Sequence, residues 1–408
     1  MNDKRNFQPS VLSALKGALQ GYTVLELSTL ISGPYCATLL GDMGAEVIKV
    51  EAPGTGDGIR QLGPSEEGEG ILYLAVNRNK KSITLALKKP EAREVLDRLI
   101  ETADVVVVNF RPDIREKYGI EYDRVRAVKP DVVYLSITAF GEEGPYRLKP
   151  GTDHVFQALS GFMNISGEQG QGPVKTGVPI ADMAASLYGA IGIMGALMHR
   201  GRTGEGQLLK VSLLDAVMCL QGTHITEYFI TGKEPNRCGN DSPFVYPVGV
   251  FRTADGYVAV SAFNEKFWRC LCRALDLNEL VGDERFDTED KRFANRDELR
   301  PLLTERFSGR TNAQVLEILE QEDVPCGPVN TYDSLFQDPQ VKENALIKDW
   351  PHPLLKTVKT AGNPIRFEGS PVVEHSGPSV LGEHTDEVLT ELGFSERQIG
   401  EFRDKGIV

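Results

Sequence analysis

Apolar residues in the first half of the chain fall in short, nearly unbroken blocks separated by turn residues. Tyr22–Leu27, Glu46–Val50, Ile83–Leu87, Asp104–Asn109, Val132–Ile137 and Gln207–Leu213 each have the length of a strand. Gly33-Pro34 opens a helical pattern that runs to about Met43 and links the first two blocks into a βαβ unit. Lys88-Lys89-Pro90 places Pro in the first turn of another helix, whose buried stripe is Val95, Leu96, Leu99 and Ile100. A strand as apolar as Asp104–Asn109 belongs in a parallel sheet covered on both faces. Met183–His199, rich in Ala, Gly, Leu, Ile and Met and lacking Pro, predicts a buried helix that neighbouring backbones approach closely.

Past about residue 225 the pattern changes. Val248–Arg252 and Tyr257–Ser261 flank Asp255-Gly256, a hairpin signal. Phe267, Trp268, Leu271, Cys272 and Leu275 mark a helix, and Thr311 with Gln314 forms a capping box before another, which ends by Pro325. Leu381–Asp386 leads into a last helix through Leu392. The predicted architecture is α/β: a Rossmann-like large domain with a parallel sheet begins in residues 1–225, a small α+β domain occupies 226–329, and 330–408 return to the large domain.

Composition narrows the class. The 408 residues are 41% hydrophobic and 25% charged, as in an ordinary globular protein, and are enough for two cores. A formal net charge of -13 argues against a nucleic-acid partner, although a local basic patch could still hold an anionic cofactor. The six cysteines lack metal-site spacing, and Cys270 and Cys272 read as packing thiols within a helix. Met183–Met198 is too short and too interrupted for a membrane span, and Met1–Ser10 has no apolar signal core, so the expected location is cytoplasmic. The scattered histidines predict no metal site, and neither a Gly-x-Ser-x-Gly elbow nor a Walker A sequence occurs. Glu51 closes the second strand as a ribose-binding acid would, but the glycines are Gly33, Gly41 and Gly44, which is not the dinucleotide fingerprint. A dinucleotide-binding oxidoreductase is the rival that this pattern disfavours. Glu51 is expected to cap its strand or pair with a base.

Three places carry candidate chemistry. Asp182 stands where the apolar helix begins, so it reads either as a helix cap or as an ionised nucleophile facing a site. Arg78, Lys80 and Lys81, in the stretch Asn77–Ser82, read as a solvated edge or as phosphate ligands. Asn109-Phe110-Arg111-Pro112 leaves the C-terminal end of a strand, where ligands gather in open α/β sheets. His154, beside Asp153, is a lone histidine with either a structural or a catalytic reading.

Taken in order, Gly44–Glu51, Asn77–Ser82, Ala103-Asp104 through Asn109-Phe110, Ala181-Asp182, Gly201–Gly206, Pro325–Pro328 and Leu381–Thr385 make the chain resemble the family III CoA-transferases. The resemblance runs from about Tyr22 to about Gly393 and looks nearest to the dicarboxylate-using members. It implies an acyl-CoA donor, a carboxylate acceptor, an interlocked homodimer, no tightly bound cofactor, and coenzyme A thioester as substrate. It makes Asp182 the catalytic aspartate, with the helix dipole lowering its pKa. For coenzyme A it implies Leu30, Ile31, Ser32, Leu85, Lys88, Asn109, Phe110, Lys117, Asp153 and Leu213. Leu30, Leu85 and Leu213 also read as core, and Lys88 and Lys117 as solvated cations. Two positions depart from the family: Ala52 stands where some members have a nucleotide-contacting Arg, to be replaced by Lys88, Lys117 or Arg60, and Gly239–Ser242 occupies roughly the region of a glycine loop. The related racemases are the same-family alternative, but their His position is Thr152 here, whose hydroxyl is a poor base.

Overall fold

Six parallel strands form the sheet that the apolar blocks predict: β1 Thr23–Leu27, β2 Glu46–Glu51, β3 Lys81–Thr84, β4 Val105–Val108, β5 Val133–Thr138 and β6 Leu208–Ser212. Their order is β3-β2-β1-β4-β5-β6, every pair parallel. The computed structural model describes residues 17–372 and 376–408, so the reading of Met1–Ser10 lies outside the described residues. The sheet belongs to a first compact unit that runs to Ser160 and resumes at Gly177–Gly222 and Ala345–Val408. Helix α1 (Ser32–Asp42) follows β1, and α2 (Arg93–Thr102) follows β3. The chain leaves β1 and β4 toward opposite sides of the sheet, which opens a crevice at their C-terminal ends.

Strand alternation sends Leu25, Leu27, Ile48, Val50, Val106 and Val108 to one face, where they pack with Val95, Leu96, Leu99 and Ile100 of α2. The opposite face meets α1 and a long helix introduced below. Glu26 is fully buried and sits in register with Lys49 across β1 and β2. Lys49 Nζ lies 2.7 Å from Glu26 Oε1 and 3.0 Å from Asp57 Oδ2, while Lys80 Nζ lies 2.7 Å from Glu26 Oε2. Burial alone would discharge Lys49, yet the surrounding carboxylates of Glu26, Asp57 and Glu51 push its pKa up. Lys80 has less carboxylate around it, and burial pulls it down to about 8.

The basic stretch at 77–82 is therefore neither a solvated edge nor a phosphate cradle. Arg78 and Lys80 are buried, with Arg78 bonded to both oxygens of Asp42. Only Lys81 reaches the surface, where it faces Glu46, Glu387 and Glu391. Glu51 does pair with a base: burial opposes its charge, but two bonds from Arg60 help hold its pKa down to about 2.

Helix α3 spans Asp153–Leu159, and α4 spans Ile180–Thr203, several residues beyond each end of the predicted run. Among the described residues α4 alone is long and apolar enough to cross a membrane, and half of its apolar window is buried within the fold. Gly189 shows how closely it packs. A Cβ there would lie 2.8 Å from Leu135 of β5 and 3.2 Å from Cys36 Sγ of α1. The segment Leu213–Cys219 is α5.

The second unit comprises Gly161–Thr176 and Thr223–Asn344. Strands β7 (Val248–Arg252) and β8 (Tyr257–Ser261) form the predicted antiparallel hairpin, and β9 (Cys326–Pro328) pairs with β8. Helices α6 (Glu265–Ala274), α7 (Arg296–Ser308) and α8 (Asn312–Gln321) supply Trp268, Leu271, Leu303, Phe307 and Val315 to its core. Thr311 and Gln314 make both capping-box bonds, and Cys270 and Cys272 are buried packing thiols. This unit extends to 344 rather than 329 and takes in 161–176, a segment that composition does not mark. Bonds from Gly239 N–H to Gly167 O and from Arg237 to Asn164 O hold that segment. The chain returns to the first unit at Ala345 and ends in α9 (Thr385–Glu391) and α10 (Glu396–Asp404), whose apolar side chains join the face covered by α2.

The buried pair yields a stability prediction. Glu26→Gln leaves Lys49 and Lys80 with one formal carboxylate partner fewer, which should cost about 3–5 kcal/mol. Urea unfolding followed by circular dichroism should show this as a large fall in the midpoint, whereas a midpoint near wild type would mean the pair is dispensable.

Candidate active site

Asp182 is the third residue of α4, within its first turn, and it is not the cap. Pro179 occupies the cap position and offers no side-chain acceptor. The capping role falls to Asp153, the first residue of α3, whose Oδ1 accepts the Ala181 N–H at 2.7 Å. Gln157, one turn along α3, donates Nε2 to Asp153 Oδ2 at 2.7 Å. The Asp182 carboxyl is half-buried and accepts a hydrogen bond from Ser32. Its pKa is pushed up to about 7, first by burial and then by the Asp153 carboxylate, with Ser32 pulling the other way. The expectation that the helix dipole holds it below the ordinary range is thus reversed: lost water and a like charge outweigh the dipole.

Ser32 begins α1 at the end of a tightly held loop. Thr29 and Asn109 exchange hydrogen bonds across the crevice, Thr29 N–H to Asn109 Oδ1 at 2.9 Å and Asn109 Nδ2 to Thr29 O at 2.6 Å. Asn109 Nδ2 also lies 3.4 Å from Ser32 Oγ. Leu30 is left-handed, φ 65°, a conformation costing a non-glycine residue about 1–3 kcal/mol. Its N–H is held by Asp57 Oδ1 at 3.1 Å, and Asp57 is itself anchored by Lys49. Gly33 is required here, because a Cβ would lie 2.4 Å from Ser28. The Ser186 hydroxyl lies 2.7 Å from Ser32 O and 2.8 Å from Asp182 O, tying α1 to α4.

Beside this loop a cleft of about 330 Å³ opens at the strand ends. Thr29, Val50, Ala52, Leu85, Lys88 and Phe110 are among its lining residues. A second cleft of about 310 Å³ shares Leu87, Lys88, Lys89 and Tyr118 with the first and adds Arg93 and Lys117. Lys89 is bonded to Lys405 O and Gly406 O, and Arg93 to Gly119 O. Lys88 and Lys117, like Lys89, are exposed. Arg60 cannot stand in for a nucleotide-binding Arg, because it is buried between Glu51 and Glu69.

The structure therefore brings together most of the residues singled out from the sequence. Leu85, Lys88, Asn109, Phe110 and Lys117 line or adjoin the two clefts, and Ser32, Asp153 and Asp182 meet at the start of α4. Leu30 is exposed and Ile31 half-buried in the connecting loop. Leu213 is different: it is buried at the start of α5, after the edge strand β6, across the whole sheet from Leu85. His154 is exposed. Gly239–Ser242 lies in the second unit, where Asp241 pairs with Arg300. Sequence reasoning misses Asp57, Gln157 and Ser186. The Asp153–Gln157 spacing of four on one helix was legible, whereas Asp57 comes into place only through its bonds to Leu30 and Lys49. Among the described residues no group of three His, Cys, Asp or Glu side chains is placed to hold a metal ion.

Comparison with known proteins gives a consistent result. Residues 19–385 match the model of CoA-transferase family III. The chain is 37% identical to human succinyl-CoA:glutarate CoA-transferase over 394 residues, covering 96% of this chain and 90% of that protein. It is 38% identical to succinate–glutarate CoA-transferase of Agrobacterium fabrum, covering 94% and 97%. Among solved structures, a CAIB/BAIF family protein from Brucella suis superposes with a TM-score of 0.84 at 37% identity, covering 92% of this chain and 100% of that one.

The raised Asp182 pKa has a measurable consequence. An unfolded Asp titrates near about pH 4, so between about pH 4 and 7 the native state holds a proton that the unfolded chain releases. Stability should fall as pH rises through that window. Asp182→Asn should therefore melt a few degrees above wild type at pH 8, with the gap closing toward pH 4; thermal melts showing no pH-dependent gap would contradict this.

Proposed function

This chain belongs to CoA-transferase family III and moves coenzyme A between carboxylic acids, and we propose that Asp182 carries the acyl group and that the acids exchanged are short dicarboxylates. The observation that carries the reading is a half-buried carboxylate at a strand-end crevice, with no Lys or Arg acting on it among the described residues. A carboxylate used only for structure would gain from such a partner. One that must attack a carbonyl needs an available lone pair.

The ionised Asp182 oxygen attacks the thioester carbonyl of the donor. The C–O bond forms, the C–S bond breaks, and CoA leaves as a thiolate from a mixed anhydride. The thiolate then attacks the aspartyl carbonyl and expels the donor acid as its carboxylate, leaving an aspartyl-CoA thioester. The acceptor carboxylate attacks that thioester, releasing the thiolate and forming a second anhydride. Thiolate attack on the acceptor's acyl carbon gives the new acyl-CoA and regenerates Asp182. One thioester replaces another, so no ATP is needed. The Ser32 hydroxyl, already bonded to Asp182, orients the attacking oxygen. Lys88 and Lys117 suit the phosphates of coenzyme A, with Leu85 and Phe110 along its apolar arm.

The dicarboxylate assignment is supported by the names of the human and Agrobacterium relatives, which pair succinate with glutarate. Its test is CoA transfer from succinyl-CoA to a panel of acids, in wild type and in Asp182→Asn. Wild type should prefer C4 and C5 dicarboxylates over monocarboxylates. Asp182→Asn should lose turnover by orders of magnitude while remaining folded, and hydroxylamine with acyl-CoA should convert Asp182 to a hydroxamate. An active Asp182→Asn enzyme would defeat the mechanism, and a preference for monocarboxylates would defeat the substrate assignment.

We further propose a homodimer. In the first unit α4 exposes Leu187, Tyr188, Ile191 and Met198, and in the second Phe229 and Ile230 are each 79% exposed. Apolar surface of this kind marks association. Light scattering should give the dimer mass at low micromolar concentration; a monomer there would exclude it.

A further inference from the structure

Resting on the reading of Asp182 as nucleophile, we propose that Asp153 is a positioning residue for the transfer reaction: its carboxylate fixes the start of α4 and repels that of Asp182, so that acylation of Asp182 releases the repulsion. The fixing is geometric. Asp153 Oδ1 takes the Ala181 N–H at 2.7 Å, on the residue directly before the nucleophile. Oδ2 takes Gln157 Nε2 at 2.7 Å, and the same Nε2 lies 3.3 Å from Val178 O in the turn leading into α4. Gln157 is fully buried. With a donor on each oxygen, the Asp153 carboxylate is fixed relative to α4, and the negative charge beside Asp182 is fixed with it.

Among the described residues no cation acts on Asp182. From α1, Asp182 meets the Ser32 hydroxyl; Cys36, a turn further on, packs against Gly189, and burial keeps its thiol neutral. On α3, His154 is exposed. From α5, Asp215 is exposed, as is Lys210 of β6, which pairs with Glu143. The Tyr134 hydroxyl of β5 is occupied by Ile120 O. Asp153 is the one charged group that acts on Asp182 among the described residues.

Charge flow gives this repulsion a direction. In the resting enzyme two anions face each other in a site partly closed to water, where their interaction is poorly screened. When Asp182 attacks the thioester, its negative charge departs on the CoA sulfur as the C–S bond breaks. The anhydride is neutral, and so is the aspartyl-CoA thioester that follows. The repulsion is present before the first bond-forming step and absent from every covalent intermediate, so it favours acylation and is restored only when the enzyme is released.

The test is Asp153→Asn, which keeps an acceptor oxygen for the Ala181 N–H and removes the charge. The acid limb of kcat/KM should move down by about one pH unit, a tenfold change in ionisation. At pH 8, kcat should drop about tenfold with KM for succinyl-CoA little changed. Asp153→Glu should restore the limb toward wild type. An acid limb unmoved in a folded Asp153→Asn enzyme would overturn the proposal, leaving Asp153 a plain helix cap. Should that variant not fold, Asp153→Ser, whose hydroxyl oxygen can accept the same N–H without the charge, decides: the carbon-13 titration midpoint of the Asp182 carboxyl should fall by about one pH unit, and an unmoved midpoint would overturn the proposal. The two readings fail separately. An active Asp182→Asn enzyme removes the nucleophile itself, whereas an inactive one combined with an unmoved Asp153→Asn limb removes only the role of Asp153.

Discussion

Glu26 and Lys49, opposite each other on adjacent parallel strands and sealed from water, hold the site in place. Alternation along β1 sends Glu26 to a face that α1 covers, so its charge must be met within the protein. Lys49 and Lys80 meet it, and Lys49 reaches on to Asp57. Asp57 in turn holds the N–H of left-handed Leu30, two residues before Ser32. A chain of buried charges thus runs from the centre of the sheet to the hydroxyl that touches Asp182. Such a network gains little net stability over an apolar core of equal volume. Its effect is on geometry: a loop that would otherwise relax is fixed in a strained conformation at the switch point of the sheet.

Asp182 is set on the opposite principle. The sheet's charges are compensated, whereas Asp182 is held beside a like charge with, among the described residues, one hydroxyl donor and no cation acting on it. That arrangement lowers the stability of the ionised native state near neutral pH and makes the carboxylate more basic. The two halves depend on each other. A crowded, partly discharged carboxylate remains in place only because Asp153, Gln157 and Ser186 fix the first turn of α4 and the Glu26–Lys49 network fixes Ser32 against it.

The clefts follow from topology. Because the chain leaves β1 and β4 on opposite sides, the loops after them separate, and Asn109 bridges the opening through its bonds to Thr29 and Ser32. The cationic cleft, the apolar cleft and Asp182 then lie along one strand-end edge.

By itself the sequence determined the elements. Apolar blocks of strand length, a Pro-opened helix and an apolar Ala/Gly run are local patterns, and local propensity together with burial suffices to read them. It also located Asp182, Asn109 and Phe110, because strand ends and helix starts are legible wherever the elements are. What only the tertiary structure decided was the partner of each charge. Arg78 and Lys80 look solvent-bound in sequence yet are buried on Asp42 and Glu26, since nothing local tells a stretch of three cations which of them will turn inward. Asp182 looks like a helix cap until Asp153, twenty-nine residues earlier, is seen to occupy that role. Its ionisation is set by lost water and by a neighbour from another helix, and both are properties of packing, which spacing along a chain does not encode.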